Sequence, residues 1–256
     1  MADHLIRTAA LHRWMVGLWR AAGSAEREAA LTADHLVAAN LAGHDSHGVG
    51  MAPRYVRALL GGELPLNQTV EIAADNGSLL TVDAHRGLGQ SVAFQAMEIA
   101  IDRARRHGVC VMGLKRSHHL GRIGHWAEQA TAQGLVSIHF TNAVSAPAMV
   151  APYGGAQARF LTNPFTVGIP RPGGEPILLD FATSAVAHGK VRVAYNRKLS
   201  ESILMPGDPE RRSRKARAEA VPIDSATLAE LDEAASAIAR AKGRSPGPLS
   251  ALEGAR

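Results

Sequence analysis

The stretch TVEIAADNGSLLTVD, residues 69–83, decides how the chain is read. Thr69–Ala74 alternates, Asn76-Gly77 is a two-residue turn, and Ser78–Asp83 alternates again. Period-two patterning on both sides of Asn-Gly predicts a β-hairpin. Residues 90–107 then keep helical spacing and stop at His107-Gly108, and Val109–Leu114 reads as an apolar strand. The middle of the chain is therefore a mixed sheet region.

Working outward, Leu5, Leu11, Trp14, Leu18 and Trp19 recur at helical spacing and predict a helix over 4–21. Gly23-Ser24 breaks it, with Ser24 as N-cap of a second helix from about Ala25 to Leu41. Pro53 suits the first turn of a third helix, which runs through Leu60 and stops at Gly61-Gly62. On the other side, a helix from about Gly124 to Ala132 leads to a strand at Leu135–Phe140. Short strands fit Val167–Ile169 and Ile177–Phe181. Asp224 or Ser225 caps a last helix with Leu228, Leu231, Ala235 and Ile238 on one face. Residues 243–256, rich in Gly, Pro and Ser, read as a disordered tail. No internal repeat is present.

The 256 residues are 46% hydrophobic and 20% charged, which excludes disorder as the main state. No run approaches the eighteen apolar residues of a membrane span. Met1-Ala2-Asp3-His4 opens directly into the periodic pattern and does not resemble a secretory signal. Cys110 is the one cysteine, so an intrachain disulfide and a four-cysteine metal site are both excluded. These features fit the cytoplasm. The net charge of +5 is local, because residues 187–217 hold nine basic and three acidic residues. Aromatics are only 4%, so a solvated helix face explains Arg211–Arg217 better than nucleic-acid binding.

Chemistry concentrates in two histidine clusters, His44-Asp45-Ser46-His47-Gly48 and Ser117-His118-His119-Leu120-Gly121, with His125 just beyond. Histidine both takes and gives a proton near neutrality. The first cluster lies between predicted helices and the second at a strand-to-helix junction, where ligands commonly sit. For His47 and His119 acid/base chemistry outweighs a solvated loop; for His44, His118 and His125 the loop outweighs chemistry. Metal catalysis is not expected, because no pair of histidines four apart flanks a glutamate. Gly87-Leu88-Gly89 opens a helix after a strand but lacks the third glycine of a dinucleotide fingerprint. A tight turn accounts for it, and a Rossmann site is not expected.

Five motifs in order carry a resemblance: Asp45-Ser46-His47-Gly48-Val49, Ser117–Gly121, Leu161-Thr162-Asn163-Pro164-Phe165, Leu179-Asp180-Phe181-Ala182-Thr183-Ser184 and Gly189-Lys190-Val191. Together they resemble the type-2 malate/L-lactate dehydrogenase family, which includes ureidoglycolate and sulfolactate dehydrogenases and diketogulonate reductase. The resemblance covers residues 4 to about 198 and resumes from Leu204 to about 240. It implies an α/β (α+β type) fold. Helical N- and C-terminal segments would accompany a mixed, largely antiparallel sheet domain that is not a Rossmann fold. It also implies a homodimer that uses NAD or NADP on small 2-hydroxy or 2-keto acids. By the same resemblance His119 is the acid/base, His47 shares or takes the proton-donor role, and Ser46 binds substrate oxygens. Asp180, Phe181, Ala182, Thr183 and Ser184 match one cofactor-contacting segment, and Pro206, Gly207 and Asp208 match another. The domains would be 1–66 for substrate and dimer, 67–199 for cofactor, 200–242 packing on the N-terminal helices, and the tail 243–256.

The chain also departs from that pattern. Met51 stands where the family commonly has an arginine suited to a substrate carboxylate, and Arg54 is the nearest substitute. Thr141-Asn142-Ala143 replaces Thr-Asn-Ser. The resemblance implies that a block bearing a glycine-rich loop and a cofactor-binding lysine is missing between Lys198 and Ser202. The expected function is NAD(P)-dependent oxidation and reduction of a 2-hydroxy acid. The alternative is an impaired remnant that binds or dimerises without turnover.

Overall fold

The computed structural model describes residues 3–144, 148, 150–152, 157–183 and 208–252. Its contacts group the chain into two compact units, Met1–Arg122 with Glu210–Arg256, and Ile123–Pro209. The first division falls between Arg122 and Ile123 instead of at 66/67, while 199/200 lies outside the described residues. The hairpin region belongs with the flanking helices.

The first unit opens with a strand, not a helix. β1 (Asp3–Arg7) precedes α1 (Thr8–Ala22) and pairs antiparallel with β8 (Ala220–Asp224), Ile6 opposite Val221. Ile6, Val221 and Ile223 are buried while Leu5 is exposed, the one-sided burial of a half-covered ribbon. α2 (Glu26–Leu41) follows, but Ser24 does not cap it. The N-cap residue is Ala25, and the Ser24 hydroxyl donates to Glu28 Oε1 at 2.8 Å. α3 (Ala52–Leu60) carries Pro53 in its first turn as expected. Near the far end of the chain, α6 (Asp208–Arg217) leads to β8 and then α7 (Ser225–Lys242). Asp224 caps α7, accepting from the Ala226 and Thr227 amides at 3.1 and 3.0 Å.

α1, α2, α3 and α7 share one core that includes Trp14, Trp19, Leu36, Tyr55, Leu231 and Ile238. The presumed tail joins it. Leu249 is fully buried, its amide donates to Asp232 Oδ1 at 2.5 Å, and Trp14 Nε1 donates to the Gly247 carbonyl at 3.0 Å. Residues 243–252 are thus packed chain, because two large groups of the core supply partners that Gly, Pro and Ser cannot supply among themselves.

The hairpin forms as β2 (Glu71–Asn76) and β3 (Leu79–Asp83), with Gly77 at φ +73° in the connection. α4 (Gly89–His107) returns the chain to β4 (Val111–Lys115), which lies parallel to β3. The sheet order is β2-β3-β4, a single right-sized crossover and not a doubly wound sheet. In the second unit, α5 (Gly124–Thr131) covers one face of an antiparallel sheet, β5 (Ser137–Phe140), β6 (Pro164–Ile169) and β7 (Ile177–Ala182). Helices and mixed sheets make this an α/β chain, with its described strands divided among three sheets.

Candidate active site

One helix positions both histidine clusters. Asn40, in the last turn of α2, accepts the Val49 amide at its Oδ1 and donates through Nδ2 to Asp45 Oδ1, each at 2.7 Å. This clamps the two 3-10 turns, Asp45–His47 and Val49–Met51, that present Ser46 and His47. A Cβ at Gly48 would overlap the Asn40 side chain, so only glycine lets the loop lie this close. Five residues earlier, His35 Nε2 accepts the Arg122 amide at 2.9 Å, and Gly121 (φ +72°) lies directly against the His35 ring. That contact fixes the end of the Ser117–Gly121 loop. Gly89 fixes its middle, because a Cβ there would strike the His119 carbonyl. Gly87 and Gly89 thus permit a close backbone approach.

Arg217 locks the first loop from the far end of the chain. Its guanidinium donates to both Asp45 carboxylate oxygens at 2.5 and 3.1 Å and to the Asn40 carbonyl at 2.7 Å. Arg217 is buried, so the end of the 211–217 basic run is an internal fastener and not a solvated helix face.

The result brings His47 and His119 together, with rings stacked at 5.6 Å between centroids and 21° apart. Ser46 Oγ shares a hydrogen bond of 3.0 Å with His47 Nδ1. His119 Nδ1 meets the Tyr55 hydroxyl at 2.6 Å. Gln90 Nε2 donates to the Tyr55 oxygen at 3.2 Å and to the His119 carbonyl at 3.3 Å. The carbonyl contact fixes the Gln90 amide orientation, so the phenol oxygen is already an acceptor. The phenol oxygen has a second lone pair, so it can also accept from His119 Nδ1–H, the tautomer that leaves Nε2 open to take a proton.

Electrostatics keep that ring neutral. His119 is held down to about 3, chiefly by burial, and the neighbouring His47, Arg54 and His118 push the same way. His118 is also lowered, by burial first and then by Arg54. Burial raises the Tyr55 hydroxyl, so it stays protonated and able to donate. Among the described residues no group of three or more His, Cys, Asp or Glu is placed to hold a metal ion. Tyr55 and Gln90 escaped the sequence reading, because an aromatic at helical spacing and a glutamine at a helix start both read as structure.

The segments matched to cofactor binding fall differently. Asp180 caps α5, accepting the Gly124 amide at 2.9 Å and the Thr166 hydroxyl at 2.7 Å. Phe181 points to the sheet face opposite α5, Ala182 ends β7, and Thr183 bonds the Asn163 carbonyl at 2.9 Å through both its amide and hydroxyl. Asp208 begins α6, while Ser184, Pro206 and Gly207 lie outside the described residues. Asn163 knits the adjoining loop, accepting from the Ala143 amide at 3.0 Å and donating to Asn142 Oδ1 at 3.2 Å. Asn142, Arg159, Leu161 and Asn163 line a shallow cavity of this unit.

Comparison with known proteins shows which family the chain resembles. Residues 6–200 match the family model described as Malate/L-lactate dehydrogenase. The hydroxycarboxylate dehydrogenase B of Escherichia coli is 50% identical over 196 residues, 77% of this chain and 54% of that protein. The L-lactate dehydrogenase of Cupriavidus necator is 43% identical over 162 residues, 63% of this chain and 46% of that protein. A solved E. coli structure, named as a candidate malate/lactate dehydrogenase, superposes with a TM-score of 0.86 at 31% identity, covering 97% of each chain. The chain spans about half the length of the curated relatives it matches. It belongs to the malate/L-lactate dehydrogenase family.

Proposed function

We propose that this protein is an oxidoreductase that interconverts a small 2-hydroxy acid and its 2-keto acid, with NAD or NADP as redox partner. The carrying observation is the Gln90–Tyr55–His119 hydrogen-bond chain, which ends on a ring stacked against His47. In the reducing direction His119, doubly protonated once the substrate carboxylate is bound, gives its Nε2 proton to the keto oxygen and is left neutral with its remaining proton on Nδ1, held by the Tyr55 oxygen. In the oxidising direction that neutral ring takes the hydroxyl proton at Nε2 and becomes the imidazolium. Every neighbour that lowers His119 by charge is a cation when charged, so the site is prepared for an anion. A bound carboxylate raises His119 toward the working pH, where acid/base transfer is most effective. Arg54, exposed on α3 beside Tyr55, supplies a positive charge in place of the arginine that Met51 replaces. The names of the relatives, hydroxycarboxylate and L-lactate dehydrogenase, support the substrate class.

The polar groups lining the second unit's cavity suit one end of a dinucleotide. Asn142 offers its amide for a ribose hydroxyl and Arg159 its guanidinium for a phosphate, while Asn163 holds the loop that carries Asn142. When bound, the nicotinamide supplies the hydride exchange. A homodimer in the cytoplasm goes with this reading, with no nucleic-acid or membrane partner. No helix among the described residues is long and apolar enough to cross a membrane.

A second reading, an impaired remnant that binds or dimerises without turnover, follows from the glycine-rich, lysine-bearing block that the resemblance would place between Lys198 and Ser202. Titrating NADH and NADPH by fluorescence, then adding 2-keto acids such as pyruvate and oxaloacetate, separates the two. Saturable binding with turnover is expected, and His119→Ala should cut kcat by about 100- to 10,000-fold with cofactor Kd unchanged. Binding without turnover selects the remnant, and an unchanged kcat removes His119 from the chemistry.

A further inference from the structure

β3 and β4 leave their sheet side by side, with Asp83 opposite Lys115 at the last rung. The residues that follow carry the site. One connection runs into α4 and delivers Gln90, and the other is the loop that delivers His119. The two connections remain paired beyond the sheet. The Ala84 amide donates to the Lys115 carbonyl at 3.0 Å, the Arg86 amide to the Arg116 carbonyl at 2.6 Å, and the His118 amide to the Gly87 carbonyl at 3.1 Å. This pairing uses an uncommon backbone. Among the described residues four non-glycines have positive φ, and three of them are here: His85 at +48°, Arg86 at +61° and Arg116 at +53°. A residue with a Cβ resists that conformation, so it persists only where the surrounding contacts impose it.

Those contacts converge on one carboxylate. Asp83 is buried, and Arg116 Nε lies 2.9 Å from both of its oxygens, with Nη2 2.7 Å from Oδ2. The same carboxylate accepts the His85 amide at 2.9 Å. It therefore holds one left-handed residue of each connection. The His85 ring ties in the third strand, with Nε2 3.2 Å from Glu71 Oε2 and Nδ1 3.2 Å from the Arg116 guanidinium. These partners all lie outside the His47–His119 pair, so Asp83 acts on the site through the two connections. What they deliver is sensitive to position. Gln90 Nε2 reaches the Tyr55 oxygen at 3.2 Å and the His119 carbonyl at 3.3 Å, both at the long end of a hydrogen bond. A slip of either connection by about 0.5 Å, the tolerance of a catalytic constellation, separates them.

We propose that Asp83 is a positioning residue of the histidine site: bridged to Arg116, it locks the two strained connections and so fixes His119 against Tyr55 and Gln90. The placement is geometric, and its effect on turnover rests on the oxidoreductase reading above.

The test compares the full chain bearing Asp83→Asn or Arg116→Lys with Asp75→Ala. Asparagine keeps the shape and the acceptor for the His85 amide but drops the charge; lysine keeps the charge but loses the fork. Asp75 is the control, because it makes the same kind of bridge to Arg103, at 2.7 and 2.8 Å, at the turn end of the same hairpin. Two readouts are taken. One is kcat and KM for a 2-keto acid such as pyruvate or oxaloacetate with NADH or NADPH. The other is the proton NMR titration of the His119 ring, assigned as the signal that His119→Ala removes. Asp83→Asn and Arg116→Lys should each lower kcat by about 10- to 100-fold with KM nearly unchanged, and each should displace the His119 signal. Asp75→Ala should leave both readouts as in the wild type. A wild-type kcat or an unmoved His119 signal in either bridge variant overturns the proposal. An equal effect of Asp75→Ala also overturns it, because the bridge would then be a general support of the sheet. If the wild type reduces no 2-keto acid, the oxidoreductase reading fails alone, and the His119 signal still decides the placement.

Discussion

At the scale of single residues, the site depends on Tyr55 more than its sequence context suggests. Its ring is fully buried, at 6.3 Å from Trp19 and edge-on to His118 at 5.3 Å, so packing holds it whatever the hydroxyl does. The hydroxyl is the part that orients His119. Tyr55→Phe keeps the packing and deletes the contact to Nδ1, leaving Gln90 Nε2 its bond to the His119 carbonyl. The stability cost should be about 1 kcal/mol, that of one hydrogen bond. Under the proposed function, kcat should fall about 10- to 100-fold with KM nearly unchanged, because tautomer control matters when the proton moves. Thermal melting and steady-state kinetics measure the two effects. A large fall in melting temperature would make Tyr55 a core residue only. The sequence disclosed His47 and His119 because histidine advertises its chemistry. It concealed Tyr55 and Gln90 because their role lies in partners 64 and 29 residues away.

Among the elements, α2 is the organiser, and its sequence hides the fact. It is buried along much of its length, including Glu28, Thr32, His35 and Asn40, so its amphipathic signal is weak although its helical spacing is clear. The polar residues are anchors: Glu28 receives the Asn67 amide at 2.9 Å, His35 the Arg122 amide and Asn40 the Val49 amide. The hairpin β2–β3 was legible because its turn lies within its own sequence. β1 was not, because Asp3–Arg7 earns its strand by pairing with Ala220–Asp224 at the opposite end of the chain. A five-residue segment next to a helix with the same apolar spacing has no local signal of that kind. Gly121→Ala tests the organiser directly. The new methyl group would need a left-handed backbone and the space of the His35 ring, so destabilisation of about 3 kcal/mol or more is expected. Urea denaturation of the variant measures it. A loss below about 1 kcal/mol would mean that the Ser117–Gly121 loop is not held by α2.

For the whole molecule, the histidines set the acid limit of stability. His118, His119 and His139 are all lowered from the usual 6.5, with burial the first cause in each. A lowered histidine is neutral in the folded chain and takes up its proton more readily when unfolded. Stability is therefore complete above about 6.5 and is lost as pH falls below it, down to about 3 for His119. Asp83 acts in a lower window. Its hydrogen bond with Arg116 holds it at about 2, so its contribution disappears only as pH falls from 3.8 toward that value. Glu28 opposes the trend: burial raises it, and its cost to the folded state is relieved as its carboxyl protonates. Melting temperature should thus be flat from pH 8 to 7, decline from about 6.5 downward with uptake of up to about three protons on unfolding, and steepen below 4. His139→Gln should flatten the upper limb, since its ring, hydrogen-bonded to the Ser137 hydroxyl at 3.1 Å on the α5-covered face, lies outside the catalytic cluster. A carboxylate held at the site supplies the opposite sign. Oxamate, a non-reacting 2-keto acid analogue, should raise the His119 titration followed by proton NMR, and it should protect most at the pH where free His119 begins to charge. A melting curve that is level from pH 7 to 4.5 would show that these rings are solvated, and the account of a dry, anion-seeking histidine site would fall with it.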